Sequence, residues 1–291
     1  MILFTAPVDF DETIVDRFRE LDHLVTQEEL ESSKDNITVW VCDPKSKFVI
    51  DGEYFRLFPN LRVIATPSTG TNHIRVGEAE KMGIKVISLN DDKEALSEIS
   101  ASSEFAFHMI ISGLRMKWPS MELQGKDVGL VGYGRIGKNL AKWCKAFGAN
   151  VFWHDPYVPE RGVSLETIFT CNIVVICCAM TDETKYMIDI EYFQSLPKDA
   201  VLINVARGDI IVEQELIEFL KKRQDVRAVL DVISGEEKGT ADPASLARVG
   251  AIVSNHIAGE TYDSRTKAAK IILELVRREY DNGNIKKTTI T

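Results

Sequence analysis

Short, almost wholly apolar runs recur along the chain, separated by stretches in which apolar residues return every third or fourth position. The runs are MILFTA (1–6), ITVWVC (37–42), LRVIAT (61–66), IKVISL (84–89), DVGLVGYG (127–134), NVFWHD (150–155), IVVICC (173–178), AVLINVA (200–206), RAVLDVI (227–233) and AIVSN (251–255). Most are continuous rather than alternating, which predicts strands covered on both faces, as in parallel sheets. Residues 135–147 and 213–222 carry helical periodicity and predict crossovers between such strands. Strand–helix alternation from end to end predicts an α/β protein with parallel sheets.

That many strands are better accommodated in two sheets than in one. The first four fall into an N-terminal domain and the other six into a second. Residues 97–118 and 261–283 read as long helices running between the domains, the second returning the chain to the first. The expected boundaries are 1–97 with 274–291, and 98–273. No fixed-period repeat or low-complexity tract interrupts this plan.

With 45% hydrophobic and 27% charged residues in 291, the chain has enough apolar material for large cores. A formal net charge of −9 argues against nucleic acid or an anionic membrane surface as the main partner. The start, MILFTAPVDFDET, has no basic leader, and no apolar run is long enough to span a bilayer, so a cytoplasmic protein is expected. The cysteines Cys42, Cys144, Cys171, Cys177 and Cys178 are odd in number and irregularly spaced, which suits reduced thiols and no metal site.

Candidate chemistry begins at GKDVGLVGYGRIGKNLAKW, where Gly132, Gly134 and Gly137 have the spacing G-x-G-x-x-G. The spacing alone is weak. Here a strand precedes it, and Ile136, Leu140, Trp143, Cys144 and Phe147 then form one apolar helical stripe. Gly132 permits a tight turn, Gly134 admits a pyrophosphate close to the backbone, and Gly137 lets helix and strand pack closely. The next strand ends in Asp155, where a carboxylate accepts hydrogen bonds from ribose hydroxyls and repels a 2′-phosphate. NAD is therefore the expected cofactor rather than NADP.

Further along, AVLINVARGD puts Arg207 just beyond a buried strand, where a planar guanidinium suits a carboxylate. RAVLDVISGEE leaves Asp231 and Glu236 at or past the next strand, and AIVSNH closes the last with His256. Three successive strands thus deliver Arg207, Glu236 and His256 to the sheet edge expected to hold the dinucleotide. An imidazole titrating near neutrality suits proton transfer in either direction, and an adjacent carboxylate would orient it.

The segments STGTNHI, SSEFAFHMIISGLR, ELQGKDVGLVGYGRIG, HDPY, TDETKYMI, LINVARGDIIVEQEL, LDVISGEE and NHIAGET occur in an order that resembles the D-isomer-specific 2-hydroxyacid dehydrogenases. The resemblance covers nearly the whole chain. It implies a Rossmann-type nucleotide domain and a flavodoxin-like substrate domain, both doubly wound, with the active site in the cleft between them. Arg207, Glu236 and His256 match the family's catalytic arginine, acid and histidine. Thr69, Gly70 and Thr71 match its substrate-carboxylate loop, to which Arg207 adds a cationic group. The cofactor contacts implied are Gly132, Tyr133, Gly134, Arg135, Ile136, Gly137, Asp155, Cys178, Ala206, Asp231, His256 and Gly259. The reaction implied is hydride transfer between NAD and a 2-oxo or D-2-hydroxy acid.

Some segments depart from the family pattern. CCAMT (177–181) stands where relatives commonly carry His-x-Pro, and Asn255 where a proline commonly precedes the histidine. The segment 115–125, RMKWPSMELQG, is much shorter than the arm with which relatives pair, which counts against the usual homodimer without excluding it. NDDKEALSEISASSE, before the helix containing Glu104, is longer than usual and bears on substrate choice. A rival of another class is a non-enzymatic NAD-binding regulatory or scaffold protein, which has no need of a proton carrier. Formate oxidation is disfavoured by Glu236, because those relatives use an amide at the equivalent place.

Overall fold

A computed structural model describes residues 1–7, 11–46, 48–117, 119–158, 160, 162–236 and 239–288; Trp118 of the short 115–125 segment and Glu237 beside Glu236 lie outside these. The chain divides into two compact units, residues 1–99 with 261–291 and residues 100–260. Each unit is built on one parallel sheet, and all ten expected strands are among those described.

The first unit contains β1 (Ile2–Phe4), β2 (Leu24–Val25), β3 (Val39–Val41), β4 (Val63–Ala65) and β5 (Lys85–Ile87), in the order β2-β1-β3-β4-β5. Strand β2 was not expected: its two residues are too short a run to stand out, and pairing with β1 defines it. Side chains alternate across the pleat. Ile2, Val39, Val41, Val63 and Ala65 face a core closed by Ile14 and Phe18 of the helix Glu12–Leu21. Leu3, Trp40 and Ile64 face the opposite core with Phe55, Phe58 and Ile74.

The helix Tyr262–Asp281 covers the first of these faces with Ala268, Ala269, Ile272, Leu273, Val276 and Tyr280. Its buried stripe starts at Ser264, and Thr261 caps it by accepting from the Ser264 amide. The return to the first unit therefore falls at 261 rather than 274, because Ala268, Ala269, Ile272 and Leu273, all before 274, already pack in that unit's core. Similarly, the helix expected at 97–118 is divided. A short helix, Lys93–Ser97, stays with the first unit, and Ala101–Arg115 belongs to the second.

The second unit contains β6 (Asp127–Val131), β7 (Asn150–His154), β8 (Ile173–Ile176), β9 (Val201–Asn204), β10 (Arg227–Leu230) and β11 (Ile252–Val253), in the order β11-β10-β9-β8-β6-β7. Val128, Leu130, Ile173, Val175, Val201, Ile203 and Val229 face the helices Ala101–Arg115 and Arg135–Ala146. The first of these helices lies so close that a Cβ on Gly113 would come within 2.5 Å of the Val201 side chain. Val174, Ile176, Leu202, Ala228 and Leu230 face the other core, where Phe193 and Phe219 lie. With every strand parallel, all carboxyl ends in this sheet open on one edge, where the candidate site residues of this unit collect. Among the described residues no helix is long and apolar enough to cross a membrane.

Candidate active site

The turn after β6 is shaped by side chains that are missing. Gly132 has φ 101°, a left-handed conformation that L side chains rarely adopt, and a Cβ there would lie 2.7 Å from the Cys178 backbone. A Cβ on Gly137 would lie 2.4 Å from the Gly132 carbonyl oxygen, so the helix starts hard against the turn. Gly134 differs, since a Cβ there would meet nothing within 4 Å. Open space thus adjoins the start of Arg135–Ala146, which has no side-chain cap and no acid in its first turn. Its amide dipoles face that space uncompensated by side chains, as a pyrophosphate site requires. The groups present fit a dinucleotide, with Tyr133, Arg135 and Ile136 on the same turn; burial lowers the pKa of Arg135.

Asp155 follows β7 beside this turn. Its carboxylate accepts the Tyr133 amide at 2.8 Å and the Tyr157 amide at 3.0 Å, which fixes it next to the glycines. Tyr133 stacks on Trp153, centroids 4.2 Å apart, giving the turn a rigid aromatic support. Cys178 follows β8 against Gly132; burial pushes its thiol up to about 11 and raises that of Cys177 further. Both remain protonated at neutrality, as do the buried thiols of Cys42, Cys144 and Cys171.

Arg207 and Gly208 follow β9. The buried side chain of Asn204 staples this turn, accepting the Ala206 amide at 3.0 Å and donating to the Arg207 carbonyl at 2.9 Å. Gly208 is sterically obligatory: a Cβ there would fall 1.9 Å from the Ile233 carbonyl carbon. The turn that presents Arg207 therefore lies backbone to backbone on the loop leading to Glu236. Among the described residues the guanidinium bonds only to the Ala206 carbonyl, at 2.7 Å, and makes no bond to Glu236 or His256.

Asp231 directly follows β10 and is fully buried, and its position explains how His256 is held. One carboxylate oxygen accepts Ser254 Oγ at 2.7 Å and the Ile257 amide at 2.9 Å; the other accepts the Ala258 amide at 3.0 Å. Its backbone carbonyl accepts the His256 amide at 2.9 Å. This clamp bends the chain so that His256 adopts φ 52°, a left-handed conformation uncommon outside glycine. The bend turns the imidazole toward Glu236, with Nδ1 and Oε2 at 3.0 Å. The other oxygen of Glu236 accepts the Ile233 amide at 2.9 Å, so the carboxylate is itself oriented. A carboxylate accepts only, so Nδ1 carries a proton toward it. The tautomer follows: Nε2 is the atom left for proton exchange.

Glu236 and His256 are therefore in contact, with Arg207 delivered to the same sheet edge by its own turn. Ala206 is buried in that turn, and Gly259 follows the clamped segment. Thr69, Gly70 and Thr71 belong to the first unit, in the loop after β4. The Asn204 staple and the Ser254 clamp were not anticipated; the available signal was a polar residue in, or directly after, an otherwise apolar run.

Residues 79–258 match the sequence model described as D-isomer specific 2-hydroxyacid dehydrogenase, NAD binding domain. The chain belongs to that family. It is an NAD-dependent dehydrogenase, and its curated relatives bear out the assignment. The (S)-sulfolactate dehydrogenase of Chromohalobacter salexigens is 30% identical over 79% of this chain and 81% of its own length. The glyoxylate reductase of Thermococcus kodakarensis is 29% identical over 83% and 80%. The D-3-phosphoglycerate dehydrogenase of Methanocaldococcus jannaschii is 28% identical over 95% of this chain and 57% of the longer relative. Among solved structures, NAD+-bound 3-phosphoglycerate dehydrogenase of Entamoeba histolytica superposes with TM-score 0.81 at 22% identity, covering 100% of this chain and 98% of that one. The likeness at that identity is one of fold.

Proposed function

We propose that this dehydrogenase interconverts a 2-oxo acid and a D-2-hydroxy acid, with His256 as proton carrier, Glu236 as its orienting base and Arg207 as the anchor of the substrate carboxylate. The observation that carries this is the 3.0 Å contact between His256 Nδ1 and Glu236. A scaffold has no use for a histidine bent into a left-handed conformation to meet a carboxylate.

Bound nicotinamide supplies or accepts the hydride. The remaining work falls to side chains of this protein. In reduction the carbonyl oxygen gains negative charge, and the imidazolium Nε2–H donates a proton to it; in oxidation neutral Nε2 removes the hydroxyl proton. Glu236 stabilises the imidazolium and keeps Nε2 available. Arg207 binds the carboxylate through its planar fork and polarises the carbonyl, while the Thr69, Gly70 and Thr71 amides add neutral donors. Gly132 to Gly137 and Asp155 would hold the dinucleotide, Asp155 favouring NAD over NADP. Cys178, Ala206 and Gly259 line the same edge.

The test is NADH and NADPH consumption, in parallel, against glyoxylate, hydroxypyruvate, pyruvate and longer 2-oxo acids, with the chirality of the product determined. Turnover of one of these with NADH, giving the D-hydroxy acid, is expected. Absence of turnover across the panel, or an L product, overturns the proposal.

A further inference from the structure

The loop after β4 has its polar backbone groups sorted by direction. The Ser68 carbonyl accepts the Leu89 amide at 3.0 Å and the Thr69 carbonyl accepts Asn90 Nδ2 at 2.8 Å. The Gly70 carbonyl accepts Ser68 Oγ at 2.7 Å, and the Thr71 carbonyl accepts the Ile74 amide at 2.8 Å. Four consecutive carbonyls are thus engaged. The amides of Thr69, Gly70 and Thr71 have no acceptor among the described residues.

In a planar trans peptide the carbonyl of one residue and the N–H of the next point in opposite directions. Each tethered carbonyl therefore aims one amide. The Leu89 amide sets the direction of Thr69 N–H, Asn90 sets Gly70 N–H, and Ser68 sets Thr71 N–H.

Proton counting extends the Ser68 tether inward. A serine hydroxyl has one proton, and Ser68 gives it to a carbonyl, which can only accept. Thr66 Oγ1, 3.0 Å from Ser68 Oγ, must then donate to it. With its own proton used, Thr66 accepts from His73 Nε2, 3.1 Å away. A one-way chain runs from His73 through the fully buried Thr66 and the half-buried Ser68 to the Gly70 carbonyl, and such chains strengthen each member by polarisation.

We infer that Asn90, Ser68, Thr66 and His73 are positioning residues, which hold the Thr69–Thr71 peptide planes so that three successive amides form an anion nest for the substrate carboxylate. The inference rests on the proposed role of that loop and adds the groups that make the loop competent. Steady-state kinetics with NADH and the best 2-oxo acid of the panel test it. Ser68→Ala and Asn90→Ala are each expected to raise KM for the oxo acid about 3–30-fold. KM for NADH should change less than about twofold, and kcat far less than KM for the oxo acid. Ser68→Thr, which keeps the hydroxyl, should restore the parent value, and Thr66→Val should give a smaller rise than Ser68→Ala.

Thr71→Pro, or Thr69→Pro if the first does not fold by circular dichroism, deletes one amide of the nest itself. If the proline variant raises KM while Ser68→Ala and Asn90→Ala do not, the loop binds carboxylate and the positioning inference is wrong. If the proline variant also leaves KM unchanged, the proposed carboxylate role falls and the inference with it.

Discussion

The turn at Gly132–Gly137 and the corner at Ser254–Ala258 stand on the same edge of one parallel sheet and are held in opposite ways. At the turn, contacts are backbone on backbone, and what matters is the absence of a Cβ at Gly132 and Gly137. At the corner, one buried carboxylate, Asp231, gathers the Ser254 hydroxyl and the Ile257 and Ala258 amides and keeps His256 at φ 52°. On the proposed function the turn has only to leave room for a ligand and offer it amides. The corner would have to aim a single nitrogen, and aiming takes a network of directed bonds. Binding and chemistry should therefore be separable by mutation within one sheet edge.

The largest effect should come from His256→Asn, chosen because asparagine tolerates the left-handed conformation. It should cut kcat by about 10²–10⁴-fold while leaving the NADH Kd, read by fluorescence titration, within about twofold. Undiminished kcat would remove His256 from the mechanism. Gly137→Ala is the mirror experiment. Its Cβ would meet the Gly132 carbonyl oxygen at 2.4 Å, so the turn must move. NADH Kd should rise about 10–100-fold, with kcat at saturating NADH much less affected. If both variants damaged binding and turnover alike, turn and corner would be one mechanical unit and the contrast would fail.

Asp231→Asn probes the corner alone, with a smaller effect. Asp231 offers two acceptor oxygens to two amides and a hydroxyl; an asparagine offers one, so whichever way it sits a backbone N–H of Ile257 or Ala258 faces an NH2 group. The orphaned buried donor should cost about 1–3 kcal/mol in urea unfolding. Turnover should fall about tenfold as the His256 tilt loosens, with NADH Kd nearly unchanged. A rise in NADH Kd as large as that of Gly137→Ala would instead make Asp231 a cofactor contact.

The same contrast decides what could be read from the residues alone. Ten strands and the glycine turn were legible, because burial on both faces leaves most of them as continuous apolar runs and because Gly132 and Gly137 report local steric demands. Arg207, Glu236 and His256 stood out as the polar residues that follow buried strands, and Glu236 and His256 are in contact. The Asp231 clamp was not legible, since it joins residues 23 apart in the chain and a polar residue after an apolar run does not name such partners. The Asn204 staple reaches only two and three residues along, but a polar residue within a run does not say which backbone groups it takes, and strand β2 exists only through its pairing with β1. The boundary at 261 was missed because a long amphipathic helix looks alike whichever sheet its apolar stripe covers.

The smallest predicted effect tests whether the turn works through backbone alone. Cys178 abuts Gly132, yet its nearest atoms there are N, Cα and Cβ rather than the sulfur, so Cys178→Ser should leave the NADH Kd within about twofold. Adding bulk to the same sulfur is a different matter, because the Gly132 turn has no slack. With the thiol pushed up to about 11 by burial, the thiolate is a small minority at pH 8. Labelling by iodoacetamide should accordingly be slow and should quicken about tenfold from pH 8 to pH 9, because the thiolate is the reacting species. Mass spectrometry at Cys178 should show NADH slowing the labelling, and the labelled enzyme should lose NADH binding in proportion. Full labelling with unchanged NADH Kd would mean that this side of the turn faces away from the cofactor, and the Cys178 contact would have to be withdrawn while the glycines kept their role.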